Sequence, residues 1–302
     1  MASLEEILRK AGLPDWAIER ILSLGLDLEG LLKMTARDLA DLSGVGVEIA
    51  EAAIRAAAAE AISPVSAGAE LRRRVLSTGV RELDELLRGG LEAGSLVELF
   101  GEPGVGKTQF AMHMCVQAAL PERAGGLESS PLYIDTEGSF SARRLREMAE
   151  ERGVDWRRVL EKVRVVEAMS VSSLQVALEA ALRSPRGEFG LIVIDSLMYP
   201  LRTEYPGRRN LYKRQQLLQG LVRRLKILTS MEQIVLVTNH VVGGPGGKRP
   251  AGGYVLGHAA DLILMIRRSV GNLRILRVVG SPSIPEGEAL FRITPAGLEG
   301  PE

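Results

Sequence analysis

Eight consecutive residues, Gly101-Glu102-Pro103-Gly104-Val105-Gly106-Lys107-Thr108, match the pattern G-x-x-x-x-G-K-S/T without deviation. The pattern carries a mechanism. Its glycines remove side chains, so that backbone N–H groups can wrap phosphate oxygens. A helix starting at its end adds partial positive charge. Lys107 is placed to reach the outer phosphates of a nucleoside triphosphate such as ATP, the Thr108 hydroxyl to ligate Mg2+, and Gln109 follows at once. An incidental glycine-rich turn would not need a strand before it and a helix after it. Here residues 96–100 read as a strand and 108–120 as a helix.

Two further segments complete a reaction centre. Residues 191–195, Leu-Ile-Val-Ile-Asp, form an apolar run that ends in a carboxylate, and Asp195 there can hold a magnesium-bound water. Alone this pattern is common; after a complete phosphate loop it is specific. Hydrolysis also needs a base or a water-positioning group. Asp135 and Glu137, in Tyr133-Ile134-Asp135-Thr136-Glu137-Gly138, are both candidates at the C-terminal end of a strand, where open parallel sheets collect ligands. Asp135 is nearer the strand and suits a structural hydrogen-bonding carboxylate. Glu137 is the preferred catalytic group, beside Lys107.

The elements that must position these residues alternate. Strands at 132–135, 163–166, 191–195 and 234–238 are interleaved with helices at 143–152, 172–182 and 211–231. That succession predicts an α/β fold with a mainly parallel sheet. Strands at 261–267, 273–279 and 290–293 follow without helices and extend the sheet in mixed or antiparallel fashion. Residues 3–59 read as short helices, with Leu4, Ile7 and Leu8 spaced for one face. Gly44-Val45-Gly46 joins two of them in a helix-hairpin-helix signature, whose glycine amides could dock a phosphate. The alternative there is a small helical packing domain. The expected division is a helical domain over 1–60, a linker and oligomerisation segment over 61–76, and an ATPase core over 77–302.

Composition narrows the function. The 302 residues carry 38 Lys+Arg and 38 Asp+Glu, so no whole-protein field attracts nucleic acid and any such contact is local. Local candidates exist. Arg208, Arg209, Lys213 and Arg214 lie between a strand end and a helix, and Lys248 and Arg249 lie in a Gly-Pro-Gly-Gly setting. Flexible basic loops near the triphosphate end of the sheet suit a phosphate backbone, bound without regard to base sequence. A solvated charged loop is the plain alternative. The single cysteine, Cys115, excludes an internal disulfide and fits a reducing cytoplasm. No apolar run approaches the roughly 20 residues that cross a bilayer.

Taken in order, these segments resemble the archaeal RadA and eukaryotic recombinase family, relatives of bacterial RecA. The resemblance includes the hairpin around Gly44 and Gly46, Leu76-Ser-Thr-Gly79-Val-Arg-Glu-Leu-Asp84, GEPGVGKTQ, YIDTEGSF and LIVIDS. It runs on through Glu204-Tyr-Pro-Gly-Arg208, Gly252-Gly253 before Gly257-His258-Ala259, and Ser281-Pro282-Ser-Ile-Pro285-Glu286. It implies a RecA-like P-loop ATPase core behind a helix-hairpin-helix domain. It implies ATP bound with Mg2+ between subunits of a homo-oligomer, filament or ring, on single-stranded and double-stranded DNA. It places the catalytic glutamate on Glu137 and an adenine-contacting arginine on Arg144. DNA contacts fall on Arg208 and Arg214 in a first loop, with Arg209 beside them, and a second loop spans 241–253. His258 falls where the family senses a neighbour's nucleotide, and Pro285 in a cap over the neighbour's ATP.

The chain departs from the family at four points. Val65 and Gly68 stand for a phenylalanine and an alanine that link subunits, His240 for a glutamine that couples ATP to DNA, and Gly280 for an aspartate; the second loop is short. The leading expectation is a DNA-dependent ATPase of homologous recombination and repair that promotes pairing and strand exchange. The alternatives are a paralog assisting another recombinase, and a signalling ATPase without DNA.

Overall fold

The computed structural model describes residues 3–61, 73–185, 187–244 and 247–301. Val65 and Gly68 lie outside the described residues. Five helices come first: α1 (Leu4–Lys10), α2 (Asp15–Leu22), α3 (Leu28–Leu32), α4 (Ala36–Ser43) and α5 (Val47–Ala61). Capping boxes start two of them, Ser3 with Glu6 on α1 and Thr35 with Asp38 on α4. Helix α4 stops at Gly44, whose φ of 70° is left-handed and whose amide closes on the Ala40 carbonyl. Arg20 donates to the Gly44 carbonyl at 2.9 Å, and Val45 is buried beneath the turn. The helices rest on the larger body partly through Arg183, which donates to the Leu42 carbonyl.

The strands β1 (Val75–Leu76) and β2 (Leu91–Glu92) pair antiparallel around α6 (Arg81–Leu86). Then follow β3 (Leu96–Gly101), α7 (Lys107–Ala119), β4 (Ser130–Asp135), α8 (Ala142–Glu151), α9 (Trp156–Lys162), β5 (Arg164–Glu167), α10 (Val171–Arg183) and β6 (Phe189–Asp195). Next come α11 (Tyr199–Glu204), α12 (Leu211–Ser230), β7 (Ile234–Gly244), β8 (Gly247–Pro250) and α13 (Tyr254–Ala259). Strands β9 (Leu262–Arg268), β10 (Leu273–Gly280), β11 (Gly287–Thr294) and β12 (Gly297–Glu299) close the chain.

The main sheet runs β12-β11-β10-β9-β3-β7-β6-β4-β5. From β9 to β5 it is parallel; β10, β11 and β12 are added antiparallel. Alternation along each strand divides the core between two faces. Ile192 and Ile194 pack on one side with α10 and α12, while Leu191 and Val193 pack on the other with α7. β3 is buried along its whole length, as a central parallel strand must be. The α/β expectation and the helical N-terminal region are therefore present. Several elements go beyond the sequence reading, the short helices α6, α11 and α13 among them. A further helix, α9, is capped by Asp155, which accepts from the Arg157 amide. The second basic segment is drawn into β7 and β8, because Val241 and Val242 continue the strand and pair with Pro250 and Arg249. Among the described residues no helix is long and apolar enough to cross a membrane.

Candidate active site and nucleic-acid interface

The phosphate loop leaves β3 at Gly101, which pairs with His240 on β7 and Ile266 on β9. A Cβ at Gly101 would lie 2.4 Å from the Ile266 carbonyl oxygen, and one at Gly106 would lie 2.1 Å from Ile293 Cδ1. The Ile266 backbone at Gly101 and the φ of 110° at Gly106 call for glycine at both places. Lys107 opens α7 and is buried; its Nζ donates to the carbonyls of Gly101 and Glu102 at 3.0 and 2.9 Å. Burial lowers its pKa, and the charges of Asp195 and Glu137 oppose that. Thr108 Oγ1 donates to Asp195 Oδ2 at 2.7 Å. A hydroxyl and a carboxylate in contact at a helix N-terminus, beside a glycine cradle, fit the two protein ligands of a magnesium–triphosphate.

Asp195, buried at the end of β6, is held by neighbours in space. Tyr133 Oη donates to Oδ2 at 2.7 Å, Ser139 Oγ reaches it at 3.4 Å, and Thr238 Oγ1 donates to Oδ1. These hydroxyls escaped sequence reasoning, since β4, β6 and β7 become neighbours only in the sheet. Asp135 is spent locally. Its Oδ1 accepts the amides of Glu137, Gly138 and Ser139, and its Oδ2 accepts that of Phe140 at 2.9 Å. It therefore shapes the turn that presents Glu137. Glu137 Oε1 accepts from Ser196 Oγ at 2.5 Å and meets His240 Nε2 at 3.1 Å. The His240 contact, then Ser196 and the charge of Lys107, hold its carboxyl below the ordinary range against the opposing effect of burial.

Gln109 and Arg144 also come together, but in a clasp. Arg144 Nε donates to Gln109 Oε1 at 2.7 Å, and its other nitrogens bind Glu147 and the carbonyls of Thr294 and Pro295. The guanidinium expected against adenine thus ties α8 to the turn between β11 and β12. Pro285 lies in the turn between β10 and β11, and His258 on α13.

The basic residues separate into free and engaged groups. Arg208 and Arg209 form a 3-10 turn ahead of α12, with Lys213 one turn on; all three are exposed. Among the described residues none of the three has a carboxylate within ion-pair distance. Arg214 donates to the carbonyls of Tyr205 and Gly207 and so braces the loop from inside. Arg249 is exposed on β8, and the Lys248 side chain lies outside the described residues. At the helical hairpin the Gly44 amide is spent on Ala40, which leaves Gly46, ahead of α5, as the remaining glycine amide. Sequence reasoning missed Tyr212, a residue 75% exposed that follows Arg208 and Arg209 and precedes Lys213 in the chain. An aromatic interleaved with unpaired cations was the signal available.

Two clefts lie near these groups. One, of about 450 Å³, is lined by Pro103, Tyr199, Arg202, Thr203, His240 and Val241. The other, of about 590 Å³, includes Arg202, Arg208, Leu211, Arg214 and Val242. Arg202 lines both, so the cleft that holds Pro103 and His240 and the cleft that holds Arg208 are neighbours.

Comparison with known proteins agrees with this geometry. The Rad51 family profile matches residues 72–301. The chain is 36% identical to the DNA repair and recombination protein RadA of Aeropyrum pernix over 288 residues, covering 91% of this chain and 90% of that protein. It is 35% identical to meiotic recombination protein DMC1 homolog B of Oryza sativa subsp. japonica, covering 89% and 82%. Homolog A of the same organism is 38% identical over 74% of this chain and 67% of its own length. On the phosphate cradle, the sheet that carries it and a match spanning nearly the whole of that sheet, this chain belongs to the Rad51 family.

Proposed function

We propose that the chain is a DNA-stimulated ATP hydrolase of homologous recombination and repair, which holds single-stranded DNA and promotes pairing with a duplex. The observation that carries this reading is the placement of Thr108–Asp195 and Glu137–His240 at the phosphate cradle, with His240 and Arg202 lining one cleft and Arg202 and Arg208 the next. Backbone amides of residues 104–108 and Lys107 would bind the phosphates. Thr108 and Asp195 would hold Mg2+, which when bound neutralises charge on the outer phosphates. Glu137 would orient a water toward the γ-phosphorus and take its proton as the new P–O bond forms and ADP leaves. His240 stands at the entrance to the second basic segment and touches that carboxylate. Movement of β7 on DNA therefore changes what Glu137 can accept, which is a differential contact of the kind coupling requires.

On the DNA side, Arg208, Arg209 and Lys213 supply unpaired charge for a phosphate backbone and Tyr212 a surface for base stacking. Arg249 adds charge from β8. Gly46 and the first turn of α5 would take a duplex phosphate. A homo-oligomer is supported by β5, an edge strand exposed along its length, where Val165 and Val166 on the strand and Val176 on α10 are exposed. Such an edge receives an added strand from a second copy. His258 and Pro285 would then act toward the neighbour's nucleotide. His240 favours one second reading, a paralog that binds ATP and DNA but assists another recombinase.

The test is ATP turnover with and without single-stranded DNA. Stimulation supports the proposal, and an unchanged rate overturns it. Strand exchange by the chain alone then separates recombinase from paralog.

A further inference from the structure

Two arginines outside every motif described so far hold the outer rim of the phosphate cradle. Arg268 ends β9 and Arg274 lies at the start of β10, directly across the hairpin from it. The parallel register of β9 with β3 sets Ile266 beside Gly101, so Arg268, two residues on, reaches the loop. Arg268 Nη2 donates to the Gly104 carbonyl at 2.9 Å, and Arg274 Nε donates to the Val105 carbonyl at 2.9 Å. Arg274 Nη1 also donates to the Leu273 carbonyl at 2.9 Å, which fixes its own guanidinium.

Peptide planarity turns these two bonds into orientation. In a trans peptide the carbonyl of one residue and the N–H of the next point in opposite directions. Holding the Gly104 oxygen outward therefore turns the Val105 N–H inward, and holding the Val105 oxygen does the same for the Gly106 N–H. The tip needs such restraint. Gly104 and Gly106 have φ of 72° and 110°, with no Cβ to limit rotation, and the Val105 amide makes only a 3.5 Å contact with Glu102.

Charge points the same way. Like charges directly across an antiparallel pair destabilise it. Nearby Arg267 and Arg277 are neutralised by Glu288 and Glu286. Among the described residues neither Arg268 nor Arg274 has a carboxylate partner. Burial and the charge of Arg268 both bear against the Arg274 cation. Two cations kept together without counter-charge, beside a cradle for polyphosphate, are compensated when that polyanion binds.

We infer that Arg268 and Arg274 are positioning residues of the phosphate cradle, aiming the Val105 and Gly106 amides and biasing the site toward polyphosphate. This rests on the nucleotide reading above. The experiment titrates ADP and ATP, with Mg2+, into the full chain and into Arg268→Ala, Arg274→Ala and Arg274→Lys, with turnover measured at saturating ATP. Each alanine variant is expected to raise Kd for both nucleotides about tenfold, the scale of one charge-assisted hydrogen bond. The saturated rate falls far less than affinity does. Arg274→Lys keeps the charge without the fork and recovers part of the affinity. Its recovery also guards against an alanine variant that fails to fold. Wild-type binding with both alanine variants within twofold of it overturns the inference alone, as does an equal loss of rate and affinity. A wild-type chain that binds neither nucleotide overturns the nucleotide reading and this inference with it.

Discussion

Two buried titratable side chains oppose each other in pH dependence, and separating them is a sharp test of the structure. Glu98 lies fully buried in β3; burial pushes its carboxyl from 4.5 up to about 7, against a 2.8 Å hydrogen bond from Asn239. Its Oε2 has no partner among the described residues. His113 lies buried on α7; burial first, then the charge of Arg152, pushes it from 6.5 down to about 3. Its Nδ1 accepts the Leu298 amide at 3.0 Å, so Nε2 carries the proton facing the Thr78 carbonyl at 2.8 Å. The folded Glu98 pKa is raised, so its contribution is full below pH 4.5 and is lost as pH rises toward 7. That loss is about 1.4 kcal/mol per pH unit, on the order of 3 kcal/mol in all. The folded His113 pKa is depressed, so its contribution is full above pH 6.5 and is lost as pH falls toward 3, at about the same slope. Between pH 4.5 and 6.5 the two slopes cancel in the wild-type chain. Urea denaturation across that range reads the difference from wild type, in which every other group drops out. Glu98→Gln should gain about 1.4 kcal/mol per unit relative to wild type as pH rises, and His113→Asn should lose as much. Two flat difference curves would refute the burial argument. The result also bears on function, because Asn239 joins Glu98 to the Ala251 carbonyl and the His240 amide at the two ends of the second basic segment.

Four further outcomes follow from the site. Glu137→Gln should cut ATP turnover about 10²- to 10⁴-fold while leaving ATP affinity within a few-fold, read by single-turnover hydrolysis beside equilibrium binding. Retained turnover would remove Glu137 as the base. Tyr212→Ala should weaken binding of a thymidine oligonucleotide about tenfold yet leave an abasic oligonucleotide unaffected, as stacking requires. Arg208→Ala should weaken both alike and flatten the salt dependence, with fluorescence anisotropy as the assay. Tyr133→Phe removes a buried bond to Asp195 and should cost on the order of 1–2 kcal/mol, seen as a Tm drop of a few degrees. An unchanged Tm would show that the remaining hydroxyls suffice.

The cradle was legible in the sequence because it is local: its glycines, Lys107 and Thr108 act within eight residues, between a strand and a helix. Asp195 was legible because a doubly buried strand that ends in a carboxylate has few uses beside such a loop. The division of labour between Asp135 and Glu137 needed the turn itself, where four amides converge on Asp135. Tyr133, Thr238 and Ser196 were invisible, since strand order β4-β6-β7 is set by nonlocal pairing. Arg144 and Arg214 were legible as cations, but the backbone carbonyls that each rests on could be found only in the fold. The second basic segment read as a loop because of its glycines, whereas cross-strand bonds to β7 make it a hairpin.

In the proposed function, backbone amides, Lys107, Thr108 and Asp195 together grip a magnesium–triphosphate. Equilibrium titration of ATP and Mg2+ into the wild-type chain and into Lys107→Ala tests it most directly. The wild type should bind saturably and in a magnesium-dependent way, and the variant should lose at least about tenfold in affinity, since one charged contact is removed. Equal affinity in the two proteins, with the variant folded, would contradict it.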